Sequence, residues 1–105
     1  TTSMAKIQSQ TNYQGFLWNP NTRDIDIKCF SNVTAIINLA GASISKRWTS
    51  LYKNEILDSR VNSIKTLIKG LELSNVSQIR SFISASAIGI YPNSKSNFYD
   101  ENNKT

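Results

Sequence analysis

The residues of this chain best placed to do chemistry are small ones that stand where apolar runs end. Ala35-Ile36-Ile37, with Leu39-Ala40 just beyond, stops at Gly41 and gives way to a polar loop. Such a run reads as a buried strand delivering a small-residue turn. In open α/β sheets ligands lie at turns of this kind, at the carboxyl ends of parallel strands, and without side-chain bulk the backbone can approach a ligand closely. The competing reading is a turn kept small only so that helix and strand can pack. A second stretch, Arg80-Ser81-Phe82-Ile83-Ser84-Ala85-Ser86, also reads as a strand emerging into small residues.

Much other chemistry is excluded by composition. The chain has no histidine, which removes the commonest general base and the commonest metal ligand together, so no metal site is expected. Its one cysteine, Cys29, cannot close an intrachain disulfide, and the neighbours Ile27 and Phe30 suit a half-buried thiol in a reducing compartment.

Several elements must position these turns. Residues 1 to 14 are polar and predict a frayed helix or loop. Gly15 opens Phe16-Leu17-Trp18, a short strand closed by the turn signal Asn19-Pro20-Asn21. Ile25, Ile27 and Cys29 alternate with Asp24, Asp26 and Lys28; that is a strand pattern, although one helical turn would bury Ile27 and Phe30 equally well. After the strand from Ala35 to Leu39, a helix begins near Thr49, which can cap it. Ile56 or Leu57, Val61, Ile64, Leu67 or Ile68 and Leu71 then recur at steps of three and four, predicting one apolar helix face, with Gly70 a plausible stop. Strand, long helix and strand within about fifty residues is the βαβ spacing, so a parallel pair is expected. After Pro92 the composition turns polar and predicts a loop or disordered tail.

The bulk properties bound the whole. A chain of 105 residues with 39% apolar residues fits one domain with a modest core. Twelve Lys and Arg against seven Asp and Glu give a net charge of +5, but the cations stand singly, which suits a solvated surface better than nucleic-acid binding. No apolar run reaches the length of a membrane span, so a soluble, cytoplasmic protein is the expectation.

Trp18-Asn19-Pro20, Ile37-Asn38-Leu39-Ala40-Gly41, Lys46-Arg47-Trp48, Ile56 to Val61 and Ile83 to Gly89 stand in the order found in one family. From about Gly15 onward the chain resembles the NAD(P)-dependent epimerase/dehydratase-like proteins of the atypical branch of the short-chain dehydrogenase/reductase superfamily. The resemblance implies an α/β fold, a partial Rossmann domain with a doubly wound parallel sheet and flanking helices, filling residues 1–105 with poorly ordered ends at 1–14 and 92–105. It implies NAD or NADP as cofactor, with Asn38, Leu39, Ala40 and Gly41 running beside it and Ser84, Ala85 and Arg60 as further contacts. Ser86 matches the position at which extended relatives hold the reacting oxygen of a hydroxyl or carbonyl substrate, a task suited to a hydroxyl that both donates and accepts; the alternative is a strand end satisfying its own backbone. Arg60 either pairs with a cofactor phosphate or with a carboxylate of the protein. Lys46, Arg47 and Trp48 form either a substrate or phosphate contact or a solvated loop with one packed tryptophan.

Two departures qualify the resemblance. Nothing before Gly15 matches the family's Gly-x-x-Gly-x-x-Gly turn, which seats the pyrophosphate on a helix N-terminus. The region of the superfamily's Tyr-x-x-x-Lys pair would follow Asp100-Glu101, beyond the last residue. Tyr91-Pro92-Asn93-Ser94-Lys95 fits that pattern as text, but the pair must lie one helical turn apart and Pro92-Asn93-Ser94 reads as loop. The expectation is thus a central segment of an epimerase-like dehydrogenase that does not turn over alone, with a cofactor-sensing or ligand-free remnant as the alternative. Its partners would be a dinucleotide and a small-molecule substrate, with neither nucleic acid nor membrane, and its unpaired strand edges would favour self-association.

Overall fold

The chain's architecture comes from a computed structural model in which residues 1–86 and 92–103 are described. In chain order it has a 3₁₀ turn at Met4–Lys6, then strands β1 (Ser9–Gln10), β2 (Tyr13–Gln14), β3 (Trp18–Asn19) and β4 (Asp24–Ile25). A second 3₁₀ turn at Ile27–Phe30 leads to β5 (Ala35–Asn38), the helix α1 (Ser50–Ser74) and β6 (Ser81–Ser84). The strands form three two-stranded sheets: β1–β2 and β3–β4 are antiparallel, β5–β6 parallel. The fold is therefore mixed α/β, built on one strand-helix-strand unit.

Local sequence accounts for most of these elements. The β3–β4 hairpin turns at Pro20 to Arg23, where Asn19 Oδ1 accepts from the Asn21 amide at 3.0 Å and Arg23 takes a left-handed φ of 60°. Asp26 caps the 3₁₀ turn by accepting from the Lys28 amide, so the ambiguous pattern from Asp24 to Cys29 resolves into a strand pair followed by a helical turn. Thr49 caps α1 as expected, its hydroxyl accepting from the Tyr52 amide at 3.2 Å. The polar first fourteen residues, expected to carry only a frayed helix or loop, hold a short ladder in which Ser9 pairs with Gln14 and Gln10 with Tyr13.

Two expectations for α1 need correction. Gly70 does not end the helix, which runs to Ser74 and closes on Asn75, in left-handed conformation with its amide bonded to Leu71 O. Gly70 is instead a packing position: a Cβ there would stand 2.6 Å from Ile25 Cγ2 and 2.8 Å from Phe30 Cε2. The expected apolar face is divided: Ile56, Leu67 and Leu71 are half-buried, but the fully buried positions are small or polar. Ser63, Thr66 and Gly70 are buried, whereas Leu57, Val61, Ile64 and Ile68 face outward and are exposed. The core is correspondingly small, centred on Phe30 where α1 crosses β4 and the second 3₁₀ turn.

The parallel pair is covered on one side only. Asn38 and Ser84 turn toward α1, while Ile37 and Ile83 on the opposite face are exposed. The radius of gyration is 16.6 Å, against roughly 13 Å for a compact domain of this length. No helix among the described residues is long and apolar enough to cross a membrane. From Pro92 to Asn103 no regular element forms among the described residues, in line with the composition.

Candidate functional site

Strand direction brings the two small-residue tips together. β5 and β6 run in register from Ala35 opposite Ser81 to Asn38 opposite Ser84, so Leu39-Ala40-Gly41 and Ala85-Ser86 leave by the same end. The Ala85 amide extends the ladder by donating to Asn38 O at 3.0 Å.

Asn38 ties this end together. It is only 6% exposed, its Nδ2 donates to Ser84 Oγ at 3.3 Å and to Ser63 Oγ at 3.5 Å, and its Oδ1 accepts from the Ala40 amide at 3.2 Å. One side chain thus fixes the turn, the neighbouring strand and the helix beneath. Asn38 contributes to the site by holding it, because its polar atoms are already engaged.

The loop after the turn is stitched onto α1 by the Ser59-Arg60-Val61 motif. Ser59 Oγ accepts from the Ala42 amide at 2.8 Å and donates to Ile56 O at 3.0 Å. Arg60 Nη1 donates to Ile56 O at 3.0 Å and reaches Ala42 O at 3.5 Å. Arg60 is thus held by backbone carbonyls, and no carboxylate among the described residues pairs with it. Its guanidinium lies directly over Gly41, where a Cβ would be 3.0 Å from Cζ. A side chain at position 41 would need the exposed Arg60 guanidinium to give by a few tenths of an ångström.

Further along, Tyr52 donates to Ser43 O at 2.5 Å, Trp48 Nε1 donates to Ile44 O at 2.9 Å, and Lys46 stands 5.4 Å from the centre of the Tyr52 ring. Lys46-Arg47-Trp48 is thus a loop clasped to the start of α1, and the tryptophan expected to pack is exposed.

The sequence-predicted residues fall into three groups. Asn38, Leu39 and Ala40 border an apolar groove of about 300 Å³ shared with Phe16, Trp18, Cys29 and Leu67. Gly41 and Arg60 adjoin one another beside it. Ser84 and Ser86 stand at the tip of the neighbouring strand and do not line the groove; Ser84 is linked to it through Asn38, and Ser86 is exposed, just before residues 87–91, which lie outside the described residues and include Tyr91. Ser59 and Ser63, which do much of the tethering, were legible as a small-residue stripe with Thr66 and Gly70 at helical spacing, a pattern overshadowed by the stronger apolar one.

Electrostatically the site offers one guanidinium and hydroxyls. Burial, and then the nearby Asp26 carboxylate, push the Cys29 thiol above its ordinary pKa, so this groove residue stays protonated and is a poor nucleophile. No group of His, Cys, Asp and Glu among the described residues is arranged to hold a metal. The arrangement suits binding and orientation of an anionic or hydroxyl-bearing ligand more than acid-base chemistry of its own.

Known proteins resemble this chain over most of its length. It is 30% identical over 98 residues to an Epimerase family protein of Mycobacterium leprae, covering 92% of this chain and 31% of that protein. It is 34% identical over 97 residues to one of Staphylococcus haemolyticus, covering 92% and 29%, and 39% identical over 75 residues to one of Staphylococcus epidermidis, covering 71% and 22%. No family model and no solved structure matches. The chain spans about a third of the length of the curated relatives it matches, and what it is similar to is that stretch of an epimerase family protein.

Proposed function

We propose that this chain is the central part of a Rossmann-type domain that binds NAD or NADP in an epimerase-like short-chain dehydrogenase, acting in its parent protein on a hydroxyl or carbonyl substrate. The observation that carries the reading is the pair of tips leaving one end of β5 and β6, with Asn38 bonded across both. Ligand sites in open parallel sheets form at such ends.

The residues present suit one part of a dinucleotide better than the other. Leu39 to Gly41 offers backbone with little bulk, Arg60 offers a planar cation matched to phosphate or to a ribose hydroxyl, and Ser86 offers a free hydroxyl at the neighbouring tip. The glycines among the described residues, Gly15, Gly41 and Gly70, open no helix, so the backbone seat for a pyrophosphate must come from elsewhere in the parent. A bound nicotinamide would supply hydride transfer. Ser86 would orient the substrate oxygen by donating to it, and Arg60 would swing from Ala42 O and Ile56 O to the anion.

This chain should therefore bind NADH or NADPH weakly and saturably without turnover. Titration followed by nicotinamide fluorescence tests it: Arg60→Ala should weaken binding about tenfold, the worth of one charge-assisted hydrogen bond, while Ser86→Ala should leave binding unchanged. A titration that does not saturate, or one indifferent to Arg60, overturns the reading. One observation favours a second reading, a remnant without ligand: the Arg60 guanidinium lies against Gly41 and is bonded to backbone carbonyls, occupying the space beside the turn.

A further inference from the structure

We propose that Ser84 donates a hydrogen bond to the dinucleotide, and that Asn38 is the positioning residue that turns the Ser84 hydroxyl proton outward; this rests on the reading that NAD or NADP lies at this end of β5 and β6. The bonding around Asn38 fixes the direction of each proton. A backbone amide can only donate, so the Ala40 amide, 3.2 Å away, must face Oδ1. That leaves the two Nδ2 protons for Ser63 Oγ at 3.5 Å and Ser84 Oγ at 3.3 Å, and the flipped carboxamide would set donor against donor at Ala40.

Both serines thus accept from Asn38, but they differ in the fate of their own protons. Ser63 is fully buried and spends its proton on Arg60 O at 2.8 Å. Ser59, one turn earlier on α1, likewise donates to Ile56 O at 3.0 Å. Ser84 is exposed, and no acceptor among the described residues takes its proton. An unattached surface hydroxyl donates or accepts as its surroundings ask. With one lone pair held by Nδ2, the Ser84 hydroxyl is set to donate away from the carboxamide.

The backbone holds the same residue in place. Ser84 stands opposite Asn38 in the parallel register, and the Ala85 amide donates to Asn38 O at 3.0 Å. The serine is therefore fixed at two points before the strand ends, whereas Ser86 lies beyond the ladder. The two hydroxyls divide the work: Ser86 is left for the substrate oxygen, and Ser84 serves an accepting oxygen of the cofactor, from a ribose, a phosphate or the carboxamide.

Titration of the 105-residue chain with NADH, followed by nicotinamide fluorescence, tests the proposal, with circular dichroism to show that helix content is unchanged in each variant. Ser84→Ala should weaken binding about fivefold, the worth of one neutral hydrogen bond. Ser84→Thr, which keeps the hydroxyl, should bind like the wild type. Asn38→Asp keeps an acceptor for the Ala40 amide but puts a carboxylate oxygen where the donor was, so the Ser84 proton turns inward and binding should weaken at least as much as in Ser84→Ala. The double variant Asn38→Asp/Ser84→Ala should bind no more weakly than Asn38→Asp alone, because a proton already turned inward cannot be lost twice. Amide exchange at Ala40 should stay slow in Asn38→Asp, which separates this effect from loss of the turn. Should that variant lose the turn or fail to fold, Ser84→Ala and Ser84→Thr decide alone. Three outcomes overturn the proposal and leave the cofactor reading standing: Ser84→Ala binding as tightly as the wild type, Ser84→Thr binding as weakly as Ser84→Ala, or losses that multiply in the double variant. A wild-type titration that does not saturate overturns both.

Discussion

The two faces of α1 depart from the usual arrangement of a surface helix, since the fully buried positions are small or polar and much of the apolar area is exposed. Inward, toward β4, the second 3₁₀ turn and the parallel pair, stand Ser59, Ser63, Thr66 and Gly70; outward stand Leu57, Val61, Ile64 and Ile68. The inward face is chosen for close approach. Each hydroxyl there is satisfied locally, Ser63 by Arg60 O at 2.8 Å and Thr66 by Asn62 O at 2.7 Å, so burying them leaves no orphaned polar group. The outward face keeps the apolar area that would ordinarily form a core. Helical periodicity therefore does not say which face of a helix the rest of the chain covers.

Variants that crowd the inward face should give the largest effects. Gly70→Val would place a branched side chain where even a single Cβ meets Ile25 and Phe30 below van der Waals distance; a loss near 3 kcal/mol is expected, at the upper end of overpacking costs. Chemical denaturation measures it, and a neutral result would mean that the helix does not lie on Phe30 as described. Asn38→Ala comes next. It strips the Ala40 amide of its acceptor and two serine hydroxyls of a donor, so about 1.5 kcal/mol should be lost. Amide exchange at Ala40 should accelerate with it, which a general destabilisation of the far end would not produce. The outward face should be nearly silent in stability: Leu57→Gln should change the monomer's unfolding free energy by no more than about 0.5 kcal/mol. A large loss there would show that the exposed stripe is part of this chain's own core.

The candidate site shows a similar split between what types and spacing disclose and what contacts add. The tips Leu39 to Gly41 and Ser84 to Ser86 are legible as strand ends because apolar runs give way there to small residues, and their common end follows from the strand-helix-strand spacing. Arg60 was legible as a cation near the turn, but its place over Gly41 was not, since a flexible side chain can reach many acceptors from one backbone position. Asn38 is legible as part of the turn expected beside a cofactor; that its carboxamide joins Ser63, Ser84 and the Ala40 amide is not. Residue type alone predicts a helix stop at Gly70, whereas Ile25 and the Phe30 ring, contributed by segments at least forty residues earlier, leave no room there for a side chain.

By itself the sequence determined the local elements: the Thr49 cap, the Asn19 to Asn21 turn, the strands β5 and β6 and their parallel direction. These depend on hydrogen bonds and side-chain preferences acting over a few residues, or on the length of a crossover. Only the tertiary structure decided which positions of α1 are buried, why glycine suits position 70, and that Asn38 binds two strands and a helix to one another. Those outcomes depend on volumes and partners supplied by distant parts of the chain, and no local pattern records a neighbour's shape.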